Sequence, residues 1–448
     1  MLIHDFLTAA NSDQWDKICL IHGERQLTYG ELRNRTDHLA RRLAGGIAQG
    51  EAVLVQLADP VEQLLYFFAI IKAGGACVLI DSSAGADVAA AVRERHQLPH
   101  FIDEAFPLPA NDSALPEIHQ EDIFLGAFSS GSTGSPKLIW RDHQSWCRAF
   151  PSQNRIFGLS GRDTLYITGS LVYTGNLNIC LQMLAAGGTV TIAAGRMPRR
   201  WVHELISCQA TAIYMVPANY RLLLQAMDRP LSHITAVSSA GAKMDPHTAS
   251  QMLLLFPKAR IIEYYGASEL GHITYQTAAE LIEHPGSVGK AFPGVTITVE
   301  DGIIWVESPY LAPQYRPKAS IGDLGQLDDQ GYLSLHGRMQ GIINSGGVKV
   351  VPEQVEAVLL QCPGIAEAAV GGIDDPIRGQ LVCAWLVKNR PELKNRDVLA
   401  FCRERMFPHC CPRKIIFIEA MPLTASGKVD RKRLQEYTAV KKSFWAYS

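Results

Sequence analysis

Ile123-Phe124-Leu125-Gly126-Ala127-Phe128 runs straight into Ser129-Ser130-Gly131-Ser132-Thr133-Gly134-Ser135-Pro136-Lys137. The apolar hexamer predicts a buried strand, and the segment after it gathers glycines, hydroxyls and one cation at the strand's end. Gly131 and Gly134 let the backbone approach an anion, hydroxyls and main-chain N–H groups donate to phosphate oxygens, and Lys137 adds positive charge. This is not the common P-loop, in which Ser or Thr follows Gly-Lys, because Pro136 and Leu138 flank the lysine here. By itself such a cluster also reads as a surface turn, so the rest of the chain decides.

Working outward, short β-rich runs alternate with helical stretches, the pattern of parallel sheets covered by helices on both faces. The reading is α/β, with doubly wound sheets in which ligands sit beyond the carboxyl ends of strands. Thr28-Tyr29-Gly30-Glu31 has the spacing of a capping box, with Leu32, Leu39 and Leu43 placed on one face of the helix it starts. Residues 52–57 predict a strand, 60–73 a buried helix and 77–80 the next strand. Further strands are expected at 164–167, 189–192, 212–216, 234–237 and 261–264. Past Gly289 the texture changes to short alternating runs, 295–299 and 303–306, which predict a small antiparallel or barrel-like subdomain. The domain reading is a large body over 1–340 and an α+β lid over 341–448, with helices at 352–361 and 396–406 and strands at 365–370, 381–387 and 414–418.

The 448 residues exceed one ordinary core, and 47% hydrophobic with 19% charged residues is the composition of a folded chain rather than a disordered one. A formal net charge of −2 gives no broad attraction to nucleic acid or anionic lipid, so phosphate recognition has to be local. The start, Met1-Leu2-Ile3-His4-Asp5-Phe6, lacks a basic, then apolar, secretory pattern, and the expected location is cytoplasmic. Ten scattered cysteines, including adjacent Cys410-Cys411, form no zinc-ribbon spacing and read as reduced structural thiols.

The Gly-rich segment is followed, in order, by Tyr265-Gly266-Ala267-Ser268-Glu269, Ser320-Ile321-Gly322-Asp323, Gly337-Arg338 and Gly427-Lys428. Together with Leu27-Thr28-Tyr29-Gly30-Glu31-Leu32, Lys72-Ala73-Gly74-Gly75, Gly286-Ser287-Val288-Gly289-Lys290 and Ser345-Gly346-Gly347, this set closely resembles the adenylate-forming superfamily. That superfamily comprises acyl- and aryl-CoA synthetases, peptide-synthetase adenylation domains and luciferases, and the likeness runs from about Leu27 to Leu434. The resemblance implies that a carboxylate attacks the α-phosphate of ATP and that a thiol, of CoA or of a carrier protein's phosphopantetheine, then displaces AMP.

It also implies roles for residues. Ser129, Ser130, Gly131, Ser132, Thr133, Gly134 and Lys137 would surround the pyrophosphate end of ATP. Glu269 would hold Mg²⁺, Tyr265 with Gly266 and Ser268 would lie at the nucleotide, and Gly241, Ala242 and Lys243 would line the base pocket. Asp323 and Arg338 would hold the ribose, Lys428 would bridge the substrate carboxylate and the α-phosphate, and Gln340 would occupy the hinge. The family usually has Asp or Lys at that hinge. Leu138, Ser268 and Ile321 also depart, from Gly, Thr and Thr, and the last change removes a hydroxyl.

By position relative to the motifs, Tyr173, Thr174, Asn176, Ser238, Tyr264, His272 and Ile273 are the candidate walls of the acid pocket, with His272 read as a satisfied pocket or core histidine. The segment Leu171-Val172-Tyr173-Thr174-Gly175 carries no Asp to pair with an α-ammonium, so an uncharged small acyl or aryl acid is favoured. Three readings stay open: an acid–thiol ligase acting on CoA or a carrier protein, a stand-alone amino-acid-activating enzyme, and an inactive relative that only binds nucleotide. No nucleic-acid partner and no membrane span are expected.

Overall fold

The computed structural model describes residues 1–8, 14–129, 137–345, 348–375, 379–424 and 428–442. The chain divides into two compact units. The larger comprises Met1–Ile297, Val306–Ala319 and Gly331–Leu333, and the smaller Thr298–Trp305, Ser320–Gln330 and Ser334–Ser448.

In the larger unit fourteen strands are used below: β1 (Ile18–His22), β2 (Arg25–Thr28), β3 (Ala52–Val55), β4 (Ala76–Leu79), β5 (His100–Ile102), β6 (Ile123–Ser129), β7 (Lys137–Asp142), β8 (Thr164–Ile167), β9 (Thr189–Ile192), β10 (Ala212–Met215), β11 (Ala236–Ser239), β12 (Arg260–Ala267), β13 (Gly271–Thr277) and β14 (Lys290–Ala291). They form two mixed sheets. The first is ordered β5-β3-β4-β6-β7, parallel except for the final hairpin of β6 with β7. The second is ordered β14-β13-β12-β11-β10-β8-β9-β1-β2, with six parallel strands from β12 to β1 and antiparallel edges at both ends.

Helices Thr174–Ala185, Pro198–Ser207, Pro217–Ala226 and Pro246–Leu255 connect successive parallel strands, and three of them open on a proline whose missing N–H costs nothing in the first turn. Between β9 and β10 the chain passes to the other side of β8. That reversal leaves a crevice at the carboxyl ends of β8 and β10, where an α/β sheet binds its ligands.

Helix α1 (Tyr29–Leu43) begins at Thr28, whose side chain accepts from Glu31 N while the Glu31 carboxylate accepts from Thr28 N. Its buried face is Tyr29, Leu32, Thr36, Ala40 and Leu43; Leu39, expected on the same face as Leu32 and Leu43, is partly buried. Helix α2 (Pro60–Lys72) is tied to α1 by the ion pairs of Arg35 with Glu62 and of Asp37 with Lys72. Almost every apolar side chain of α2 is buried, as befits a helix enclosed on all sides. Phe67 of α2 meets Phe124 of β6 edge to face, ring centroids 6.1 Å apart, so α2 steadies the strand that leads to the Gly-rich segment.

The observed strands match the sequence expectations closely at β8 and β9, while β11 lies two residues later than expected. The short strands past residue 289 pair antiparallel, as expected: Val306 with Ala319 and Ile303 with Leu324.

In the smaller unit Ile365–Asp375 pairs antiparallel with Gly379–Lys388, and Lys414–Ile418 runs parallel to the latter. Along that central strand Val382, Ala384 and Leu386 enter one hydrophobic cluster while Cys383 and Trp385 enter another. The period-two alternation thus serves a core on each face. Helices Pro352–Leu359, Asn395–Arg405 and Arg431–Lys442 complete the unit. All ten cysteines are free thiols and eight are buried. No helix among the described residues is long and apolar enough to cross a membrane.

Candidate active site

The crevice at β8 and β10 is built first from backbone. After β8 the chain turns through Thr168, Gly169 and Ser170, and the Asn176 amide donates to the carbonyls of Thr168 (3.0 Å) and Ser170 (2.9 Å). Asn219, at the start of the helix after β10, donates to Thr168 Oγ1 at 2.9 Å and ties the two strand ends together. Gly175 lies against the Tyr214 hydroxyl, so close that any Cβ there would overlap it. Asn176 is therefore spent on the turn's shape, whereas Tyr173 and Thr174 beside it are only partly buried.

Thr174 Oγ1 lies 3.0 Å from Ser268 Oγ, which joins a candidate pocket residue to the Tyr265–Glu269 motif. The motif sits where β12 ends, and its Ser268–Glu269 turn is held from below by Arg141. That guanidinium is wholly buried; Nη1 donates to the carbonyls of Ser268 (3.2 Å) and Glu269 (3.5 Å), and Nη2 to those of Tyr310 (2.7 Å) and Ser145 (3.2 Å). Burial pulls its pKa down to about 9. Asp142, the next residue, is paired with Arg316 at 2.7 Å and caps the helix His143–Cys147.

Behind the crevice Tyr264 stacks between Phe157 (centroids 5.3 Å) and His272 (4.8 Å), and His272 in turn meets Phe292 at 5.0 Å. His272 Nε2 lies 3.1 Å from Gln153 Nε2, and burial lowers the imidazole pKa to about 3, so the ring is neutral and accepts. Ile273 and Ser238 are buried, and the Ser238 carbonyl accepts from the Tyr220 hydroxyl at 2.9 Å. These residues form a packed wall.

Gly241 and Ala242 are exposed, while Lys243 gives its amine to the Gly286 carbonyl. Under that loop Glu263 accepts from Met244 N (2.5 Å) and from Gln276 Nε2 (2.7 Å), and burial pushes its carboxyl up to about 7. Lys137 opens β7 directly opposite Ser129 of β6, so the Gly-rich segment joins the two strands of a hairpin rather than a strand and a helix. Ser130, Gly131, Ser132, Thr133 and Gly134 lie outside the described residues, as do Gly346 and Gly347; the side chains of Ser129, Arg338 and Gln340 are likewise not described.

In the smaller unit Asp323 is buried at the start of Asp323–Leu327. Met339 N donates to the Gly322 carbonyl at 2.8 Å, which brings the backbone after Arg338 beside that of Asp323; Gln340 falls in the short turn Met339–Gly341. Lys428 is exposed; Thr424 N donates to the Lys428 carbonyl (2.7 Å) and Leu423 bridges Val429. Arg431 anchors the following helix, with Nη2 3.0 Å from Glu356 Oε1 and Nη1 on the Val370 carbonyl.

Sequence reasoning missed Arg141, Asn219, Glu263 and Tyr214. Arg141 carries one signal, a cation inside a strand that follows a glycine-rich turn, but strand cations usually face solvent.

The model for AMP-binding enzymes matches residues 6–105 and 94–316, and that for the AMP-binding enzyme C-terminal domain matches 354–428. The chain is 30% identical over 340 residues to YhfT, an uncharacterized acyl-CoA ligase of Bacillus subtilis, covering 72% of this chain and 70% of that protein. It is 28% identical over 502 residues to enterobactin synthase component E of Escherichia coli, covering 96% and 93%. Among solved structures, ATP-bound MatB from Rhodopseudomonas palustris superimposes with a TM-score of 0.83 at 21% identity, over 98% of this chain and 99% of that one. The o-succinylbenzoate CoA synthetase MenE of Bacillus subtilis gives 0.82 at 22% identity, over 96% and 97%. At such identities the structural likeness speaks for the fold.

Proposed function

Because the chain belongs to the AMP-binding enzyme family, within the adenylate-forming superfamily, we propose that it activates a carboxylic acid with ATP and transfers the acyl group to a thiol. A carboxylate oxygen attacks the α-phosphorus, the bond to the β-phosphate oxygen breaks, and pyrophosphate leaves an acyl-adenylate. A thiol sulfur then forms a bond to the acyl carbon as AMP departs and the thiol proton is lost. The observation that supports this reading is the contact of Thr174, which follows β8, with Ser268, which Arg141 holds from the other sheet, because it joins a residue read as lining the acid pocket to the motif read as binding nucleotide.

The chemistry requires two anions to meet, so the site needs donors and cations more than a nucleophile. Lys137 and the hydroxyls before it supply the triphosphate end, Tyr265 the face for adenine, Asp323 acceptors for the ribose hydroxyls, and Lys428 the charge that steadies the attacking carboxylate and α-phosphate. Gly241 and Ala242 leave backbone beside the base, and Gln340 serves as the hinge residue between a body, 1–340, and a lid, 341–448. Glu269 is the carboxylate for Mg²⁺. Among the described residues no group of three or more His, Cys, Asp or Glu forms a cage, and a single carboxylate suits an ion that keeps waters and binds phosphate oxygens. When bound, that ion would neutralise phosphate charge.

The acid is a small acyl or aryl acid. Residues 171–175 carry no carboxylate to hold an α-ammonium, and the wall behind them is aromatic. The relatives named as acyl-CoA ligase and as enterobactin synthase component support CoA and a carrier-protein phosphopantetheine as the two acceptors to compare.

Acid-dependent exchange of labelled pyrophosphate into ATP tests the first half-reaction, with short aliphatic acids, aryl acids and α-amino acids offered separately. Exchange with aryl or acyl acids is expected. Exchange with amino acids alone would favour an amino-acid-activating enzyme, and none with any acid an inactive relative. Adding CoA and a pantetheinylated carrier in parallel then identifies the acceptor.

A further inference from the structure

Arg141 combines three properties that the packing of the unit does not require together. It is fully buried, its hydrogen bonds go to four backbone carbonyls from three separate parts of the chain, and Nε finds no partner among the described residues. Among the described ion pairs none involves this guanidinium, since neighbouring Asp142 is engaged by Arg316. Its hydrogen bonds go to neutral carbonyls, and the charges of Asp142 and Glu269 act on it only through space, so burial of this cation carries a large desolvation cost that an apolar side chain would not. Its bonds fall on Ser268 and Glu269, while its own strand, β7, begins at Lys137. The planar fork spreads its donors over a rigid frame and so fixes the turn and two other stretches of the chain at once, whereas a lysine offers its donors from a single atom.

We infer that Arg141 is a positioning residue for metal-bound ATP, locking the Ser268–Glu269 turn to the strand that starts at Lys137 so that carboxylate and lysine address one triphosphate. The inference rests on the proposed nucleotide role of these residues and goes beyond it by assigning the part that fixes their spacing. Ser268 is held on its other side by Thr174, so the turn's orientation is set jointly by the acid pocket and by Arg141. The Glu269 carbonyl also accepts from Ala312 N at 3.0 Å, which leaves the carboxylate side chain, not the backbone, as the part that addresses the ion.

The test compares Arg141→Lys and Arg141→Met with the parent chain in binding of ATP at stepped Mg²⁺ concentrations, read by calorimetry, and in pyrophosphate exchange. Loss of charge-assisted hydrogen bonds of this kind is expected to raise the half-saturating Mg²⁺ concentration and KM for ATP about tenfold or more. KM for the acid should stay within about twofold. A Glu269→Gln background supplies the second measurement: if Arg141 acts through Glu269, the two changes are non-additive in metal-dependent ATP binding. Equal loss of ATP and acid affinity, unchanged metal dependence in the folded Lys variant, or additivity with Glu269→Gln overturns the inference. Absence of exchange in the parent chain with intact metal-dependent ATP binding would instead strike the proposed activity and leave this test standing.

Discussion

The crevice of the larger unit and the lysine loop of the smaller one are built in opposite ways. Around Ser268 and Glu269 the turn is tied by Arg141 and Thr174, backed by a stack of aromatic rings, and its supporting side chains are buried. Lys428 stands exposed beside a backbone pairing of Thr424, Leu423 and Val429, with Arg431 fastened just beyond. Preorganised groups can be worth most in catalysis when they need not move, whereas a group proposed to serve one half-reaction only gains from an exposed position. The contrast teaches that rigidity in this chain is concentrated where nucleotide and acid would sit.

The sharpest way to break that contrast is Lys428→Ala. Adenylation should fall about a hundredfold or more, and thioester formation from preformed acyl-adenylate should change little. Single-turnover assays of the two half-reactions check it, and equal losses would show that the lysine is no more specialised than the crevice. Next in size, Gly175→Ala forces a methyl into the Tyr214 hydroxyl; overpacking of this kind costs about 1–3 kcal/mol and should raise KM for the acid about tenfold. Tyr214→Phe in the same chain removes the oxygen and should restore much of both, and failure of that rescue would mean the crevice is less tightly set than drawn. Arg431→Ala loosens the loop's base, and adenylation should drop about two- to fivefold with less than about 1 kcal/mol of stability lost, as for a half-exposed ion pair. Urea melts beside exchange rates would separate the two effects.

The smallest effect concerns pH. Burial raises the Glu263 carboxyl from 4.5 to about 7, so between those values the folded chain keeps a proton that the unfolded chain has released. Its contribution is therefore full at low pH and is lost as pH rises through about 7. Glu263→Gln, which keeps an acceptor for Met244 N, should flatten the fall in stability between pH 5 and 8. Parallel slopes for the two proteins in denaturant titrations would remove Glu263 from the account.

Much of the fold was legible because its signals are local. The capping box at Thr28 and Glu31 formed as spaced, β8 and β9 appeared at the expected residues, and the prolines at 198, 217 and 246 open crossover helices. What escaped depends on partners far along the chain. β13 was unreadable because His272, Thr274 and Gln276 look like surface residues until Gln153, the Val288 carbonyl and Glu263 satisfy them. β11 slipped by two residues for the same reason, since buried Ser238 and Ser239 break the apolar run that marks a strand. In the site, Thr174 and Ser268 were both named from the chain and are joined in the fold, yet the guanidinium beneath them has contacts 127 and 169 residues away that no local pattern encodes.

Since the carbonyl of Lys428 is itself hydrogen-bonded to Thr424 and Arg431 is fastened three positions later, the amine cannot range on a slack tether. In the proposed role, its travel beyond the swing of its own methylenes would be the travel of the strand and helix that Arg431 grips, and the amine would be the tip of a lever.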